Sequence, residues 1–275
     1  MAKEEAARDW DVTQYLRFEE ERSRPSRDLL AKVELTSARK VVDLGCGPGN
    51  STALLVERFP EAVVIGVDAS PPMLAKARER LPESRFPLCS FLEADLVSWT
   101  PPQDTCLIFA NAVLQWIPEH QSVMRRLLEA LPEGGVLAAQ MPDNSGEPSH
   151  RLMQKVALRS AWVGPLARAR AARRPLPEAE SYYGLLQPLC RRLEIWRTEY
   201  IHALDGPRAI VEWFKGSSLR PFLSALSRDQ SEEFLRAYEE EIARAYPPRG
   251  ARHRSECFGT AGDFAVDLTV IEAVR

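Results

Sequence analysis

Two periods of apolar residues run along this chain. Between residues 40 and 140, short β-branched runs alternate with segments whose apolar side chains recur at helical spacing, the pattern of successive βαβ units around a parallel sheet. The runs at 40–44, 63–67, 91–94, 106–110 and 135–140 predict strands. Helices are predicted over 50–58, after Ser70 with Pro71 in the first helical position, and after Pro118, where Val123, Met124, Leu127 and Leu128 share one face. Ahead of this region, 11–21 and 25–33 predict two helices separated at Ser23–Pro25, because proline lacks the N–H that continues a helix. Beyond it, 147–187 is helical, Arg-rich and punctuated by proline. Within that stretch, residues 165–177, with Arg168, Arg170, Arg173 and Arg174, read as a solvated loop. Residues 193–202 then predict a strand, 212–215 and 229–246 return to helical spacing, and 263–273 alternate as a final strand.

The expected architecture is therefore α/β: a Rossmann-like sheet with helices on both faces, an N-terminal helical arm over 1–34, a core over 35–146, and a helical cap over 147–275 whose strands return to the sheet. A chain of 275 residues with 45% hydrophobic residues can bury a substantial core, which excludes disordered and fibrous classes. Its 36 basic residues against 39 acidic ones give a net charge of -3, without the basic excess that nucleic-acid binding needs. No apolar run approaches the ~20 residues of a membrane span, and residues 1–10 are acidic and polar instead of a basic segment leading into an apolar one. These features predict a cytoplasmic protein. The five cysteines are scattered, without metal-ligand spacing, and read as reduced thiols.

The chemistry concentrates in DLGCGPGN, residues 43–50, where a buried strand turns into a helix. Gly45, Gly47 and Gly49 let the backbone turn sharply and approach a ligand, while the helix start offers unpaired N–H groups. A dinucleotide fingerprint would place glycine at Asn50 and a pyrophosphate at the helix start, where the Asp43 carboxylate would oppose it. An acid there suits a ligand carrying an ammonium group and no phosphate, as S-adenosylmethionine does. Asp68, at the end of the second strand, suits two ribose hydroxyls; Asp95, in LEADL past the third, suits an exocyclic amine of adenine. Asn111 ends the fourth strand. These four strand ends converge on one edge of the sheet.

On these residues the chain resembles the class I S-adenosylmethionine-dependent methyltransferases over about 40–140. The resemblance implies a cofactor site that also draws on Cys46, Ala69 and Leu96, and Tyr15 and Arg24 match a lid over the cofactor's methionine end. Further likeness, to a branch of that family that methylates a carboxylate of a small polycarboxylic acid, runs through WDVTQYLRFEEERSRP (10–25), IFANAVLQWIPEH (108–120), QMPDNSGEPSH (140–150), IWRTEYIH (195–202) and SLRPFL (218–223).

A carboxylate is ionised at neutral pH and needs no general base, so no catalytic base is expected, only positioning and exclusion of water. A polycarboxylate acceptor asks for local positive charge in an acidic protein. Arg197, Tyr200 and Arg220 are the first candidates to hold it, with His150 as a donor and Trp116 as a wall. On a regular strand Arg197 and Tyr200 point to opposite faces, so both cannot serve one pocket. Two other readings stay open at this point: a methyltransferase for another acid or natural product, and a regulatory protein that binds the cofactor without turnover.

Overall fold

In a parallel strand covered on both faces almost every side chain must be apolar, and β1 (Lys40–Leu44), β4 (Leu107–Asn111) and β5 (Val136–Pro142) are buried along nearly their whole length. The computed structural model describes residues 18–171, 175–247 and 263–275. β2 (Val63–Asp68) lies beside β1, and β3 (Cys89–Glu93) forms one edge with several exposed side chains. With β6 (Arg192–Ala203) and β7 (Asp263–Val274) these make one seven-stranded sheet in the order β3-β2-β1-β4-β5-β7-β6. β1 to β5 are mutually parallel, and β7 is antiparallel to both its neighbours, so the C-terminal strand closes the sheet by inserting between β5 and β6.

The chain runs outward from β1 through β2 to β3, then crosses back to β4 on the other side of β1. This reversal opens a crevice beyond the C-terminal ends of β1 and β4, the place where open α/β sheets bind ligands. One face of the sheet packs against α1 (Glu19–Lys32), α2 (Asn50–Arg58), α5 (Pro148–Ala157), α8 (Gly206–Lys215) and α10 (Arg228–Ala245), with Leu30, Leu55, Met153, Phe214 and Tyr238 in a single apolar cluster. The other face packs against α4 (His120–Ala130) and α7 (Ala179–Leu186) through Met124, Leu127, Tyr182 and Leu186. α3 (Pro71–Arg80) buries Met73, Leu74 and Ala77. Helices of the C-terminal half thus share a core with β1, β2 and β4. Among the described residues no helix is long and apolar enough to cross a membrane.

Two expectations are corrected. The break expected at Ser23–Pro25 is absent, and residues 11–17 of the first expected helix lie outside the described residues: α1 continues through Pro25, because Ser26, Leu29 and Leu30 beyond it are buried against the core, and this packing outweighs the lost hydrogen bond. Residues 165–177 are more than loop, since α6 (Ala167–Ala171) forms there with Leu166 and Ala169 buried beneath its arginines. Elsewhere strand ends shift by up to two residues.

Candidate functional site

The turn from β1 into α2 is built on three glycines at positive φ, +72° at Gly45, +52° at Gly47 and +86° at Gly49. A Cβ on Gly45 would stand 2.2 Å from Val113 Cγ2, so this position also demands glycine sterically. The amides of Gly45 and Cys46 donate to the carbonyl of Val67 on β2 at 2.7 and 3.1 Å. Asp68 holds the same loop: its Oδ2 accepts from Gly47 N at 2.9 Å and its Oδ1 from Ser70 N at 2.8 Å. Burial raises the Asp68 carboxyl pKa, while the amides of Gly47, Ser70 and Ala69 oppose the rise.

Asp43 occupies a different place from the one expected. It has no exposed surface; its Oδ2 accepts from Ser51 Oγ at 2.8 Å and from Thr52 Oγ1 at 2.6 Å, tying the first turn of α2 to β1. Burial pushes its pKa up to about 6. Cys46 is buried in the same loop, and its thiol pKa is pushed well above the usual value.

Across the loop, α1 presents Arg22, Ser23 and Ser26 to a cleft shared with Gly47, Asn50 and Asn111. Several buried polar atoms here have no partner within the protein: Ser26 Oγ, Asp43 Oδ1, both amide atoms of Asn50 and Asn111 Oδ1. Folded interiors satisfy nearly all such atoms, so a cluster of them around one cleft marks where a polar ligand belongs. Ala112, directly after Asn111, takes φ +54°, and among the described residues it is alone among non-glycines in doing so. The β3 edge of the site is a short turn in which Asp95, exposed, accepts from Val97 N at 3.0 Å while Leu96 is buried. Arg126 of α4 holds that turn from behind, donating to the carbonyls of Trp99, Leu96 and Val97. Ala69 is exposed at the β2–α3 turn.

The residues expected to hold an acceptor divide between two faces. On β6, Tyr200 and His202 turn toward α1 and α8, while Arg197 turns the other way, where it pairs with Asp143 at 3.4 Å and Glu178 at 3.3 Å. Period-two alternation thus separates Arg197 from Tyr200, and Arg197 lies beside two carboxylates on the other face. Tyr200 is buried and donates its hydroxyl to Asp28 Oδ2 at 2.7 Å. Arg24, expected over the cofactor, is exposed and lies 5.1 Å above the Tyr200 ring. Its neighbour Arg22 lines the cleft instead, donating to the Trp213 carbonyl at 2.8 Å with its guanidinium 4.8 Å from the indole. His202 stands 5.0 Å from Trp213 and stacks on Tyr200; burial, and then Arg24 and Arg22, lower its pKa to about 4.

His150, on α5, is buried, with Nε2 3.2 Å from Ser218 Oγ and its ring edge-on to Phe214. Arg220 opens α9 (Arg220–Leu223) and is half-buried, as is Trp116 in the 3-10 turn Leu114–Trp116 that follows Asn111. Tyr15 lies outside the described residues. Sequence reasoning missed Arg22, Ser23, Ser26, Asn50 and His202. The first three share one side of α1, a signal hidden by the expected break at Pro25.

The profile of the methyltransferase domain family matches residues 41–135. A trans-aconitate 2-methyltransferase of Rhodopseudomonas palustris (strain BisB5) is 53% identical over 88% of this chain and 92% of its own length. One from Azoarcus sp. (strain BH72) is 53% identical over 89% of this chain and 94% of its own. Among solved structures, the YcgJ protein of Bacillus subtilis covers 91% of this chain and 97% of its own at TM-score 0.57 and 15% identity. Phosphoethanolamine N-methyltransferase 2 of Haemonchus contortus, in complex with S-adenosyl-L-methionine, covers 91% of this chain and 52% of its own at TM-score 0.54 and 17% identity. At such identities these two structures speak for the fold alone.

Proposed function

This chain belongs to the trans-aconitate 2-methyltransferase family, and we propose on that premise that it transfers a methyl group from S-adenosylmethionine to a carboxylate of trans-aconitate, giving a monomethyl ester. The observation that carries the proposal is the cleft between α1 and the glycine loop, where unpartnered buried polar atoms of Ser26, Asn50 and Asn111 face a backbone held open by three glycines. This set fits a ligand with amine, carboxylate and hydroxyl groups, and no phosphate is needed to account for it.

Bound there, the cofactor supplies an electrophilic methyl group on a sulfonium. Gly45 and Gly47 let its sulfur end approach the backbone, and Asp68 and Asp95 stand at successive strand ends for the ribose and adenine. Asn50 and Asn111, with unpartnered amide atoms in the cleft, would hold the cofactor's polar groups there. Asp43 works one layer down, keeping the helix start rigid through Ser51 and Thr52. The acceptor carboxylate is already ionised, so the protein has no proton to remove; it holds two reactants in line and excludes water, an orientation effect worth up to roughly 7–11 kcal/mol. Two walls exclude water: α1, and the side of the cap carrying Trp213. From the cap, Arg220 and His150 remain candidates for the acceptor's outer groups.

Labelled methyl transfer against a panel of di- and tricarboxylates tests the proposal. Trans-aconitate is expected to be the preferred acceptor, with a base-labile ester as product. Methylation of a neutral phenol or amine, and of no polycarboxylate, would overturn it.

A further inference from the structure

We infer that Arg22 of α1, seated against Trp213, binds a non-reacting carboxylate of the acceptor and so determines which acids this enzyme takes. The inference rests on the carboxyl-methylation reading above and adds a binding residue to it. Three observations carry it.

The first is place. Arg22 lines the same cleft as Gly47, Asn50 and Asn111, so a group bound to it lies alongside the donor loop. It is seated on Trp213 of α8, whereas the unpartnered polar atoms of Asn50 and Asn111 belong to the core side.

The second is rigidity. A guanidinium carries five N–H donors in one plane, matched to a carboxylate's two oxygens. The bond from Nη2 to the Trp213 carbonyl and the indole 4.8 Å away fix that plane before any acid arrives, which lowers the entropy cost of binding it. Trp213 is itself held between Phe18 at 5.2 Å and His202 at 5.0 Å.

The third is charge. The protein's net charge is -3, so attraction for a polyanion has to be local. Burial, and then Arg24 and Arg22, lower the His202 pKa, so the positive field of both arginines extends to the ring packed on Trp213. Arg197, the sequence's leading candidate, lies on the opposite face of β6, beside Asp143 and Glu178.

The test compares wild type, Arg22→Met and Arg22→Lys on trans-aconitate and on a dicarboxylate that lacks one of its non-reacting carboxylates, alongside calorimetric affinity for S-adenosylhomocysteine and thermal melting. Arg22→Met is expected to raise KM for trans-aconitate roughly 10- to 100-fold, the loss typical of a charge-assisted hydrogen-bond pair. Its S-adenosylhomocysteine affinity should stay within about twofold, and its penalty should largely vanish on the truncated acid, since the missing carboxylate has nothing left to lose. Should the methionine variant fail to fold, Arg22→Lys keeps the charge without the planar fork and is expected to raise KM about 5- to 10-fold. A lysine variant equal to wild type overturns the inference. So does an equal penalty on both acids, or a loss of S-adenosylhomocysteine affinity with acceptor KM unchanged, which would assign Arg22 to the cofactor. A wild type that methylates no carboxylate sinks the proposed function itself, and is distinguished from these outcomes because it needs no variant.

Discussion

Asp43 and Asp68 are both buried near the glycine loop, yet they do different work because their oxygens meet different partners. Asp43 lies fully inside with two hydroxyl donors, and its pKa rises from 3.8 to about 6. A carboxyl whose pKa is higher in the folded state stabilises that state while protonated, and this contribution is lost as pH rises through the folded pKa. Below pH ~4 both states hold the proton; above pH ~6 the native state carries a buried charge that costs on the order of 3 kcal/mol. Asp43→Asn is therefore expected to gain in melting temperature relative to wild type as pH goes from 4 to 7, in protein without ligand. A difference that stays constant over that range would show that the buried charge is compensated. Asp68 holds the glycine loop from the end of β2, where the proposed ribose site lies. Asp68→Ala removes the acceptor for Gly47 N and Ser70 N and leaves ribose hydroxyls unpaired, so cofactor affinity measured by calorimetry should fall by about 1–3 kcal/mol. Unchanged affinity would remove Asp68 from the site.

At the scale of elements, each wall of the cleft is a short segment held by another. α1 is pinned across the glycine loop by the Glu19–Arg80 ion pair at 2.7 Å to α3, and by Arg22 on Trp213. The turn bearing Asp95 has no strand beyond it and depends on Arg126, whose guanidinium collects three of its carbonyls. Arg126→Met leaves those carbonyls without their charged donor. Since the turn faces the adenine end of the proposed site, S-adenosylhomocysteine affinity is expected to drop about tenfold, while KM for the acceptor changes little. Equal losses for both ligands would mean that the turn supports the whole cleft. β6 shows the same logic in a strand: one residue of register sends Arg197 to Glu178 and Asp143 and its neighbours Trp196 and Thr198 to the other face.

For the whole molecule, the cleft forms only where three remote stretches meet: 22–26 from α1, 45–51 from the glycine loop and the start of α2, and Asn111 from the end of β4, with Trp213 of the cap behind Arg22. Phe18 packs on Trp213 and belongs to the main apolar cluster, so the N-terminal segment is a wall of the site and part of the core. Deleting residues 1–24 removes Phe18, Arg22 and Ser23 while leaving Leu29 and Leu30 in place. The shortened protein is expected to fold with a lower melting temperature and to turn over at least about tenfold more slowly, because the cleft loses its solvent-excluding side. Turnover at the wild-type rate would make this segment an appendage.

How much of this was legible follows from the range of the interactions. Local spacing fixed the alternation of strands and helices from 40 to 140, the glycine turn, and Asp68, Asp95 and Asn111 at successive strand ends, because in a parallel sheet the end of a buried strand in sequence is also the edge of the sheet in space. The alternation along 193–202 likewise foretold that Arg197 and Tyr200 part company. Four things needed the tertiary structure. The helix through Pro25 survives because burial of Ser26, Leu29 and Leu30 outweighs a local rule. Asp43 sits beneath its loop, since its depth depends on the packing of α2 over β1. Which face of β6 meets the cleft depends on α1 and α8 packing there. Arg22, and not Arg24, faces the glycine loop because the rotation of α1 is set by Trp213, a residue 191 positions further along the chain. Neighbours in sequence report local propensity, whereas a cleft made from distant segments is decided by how their apolar faces pack.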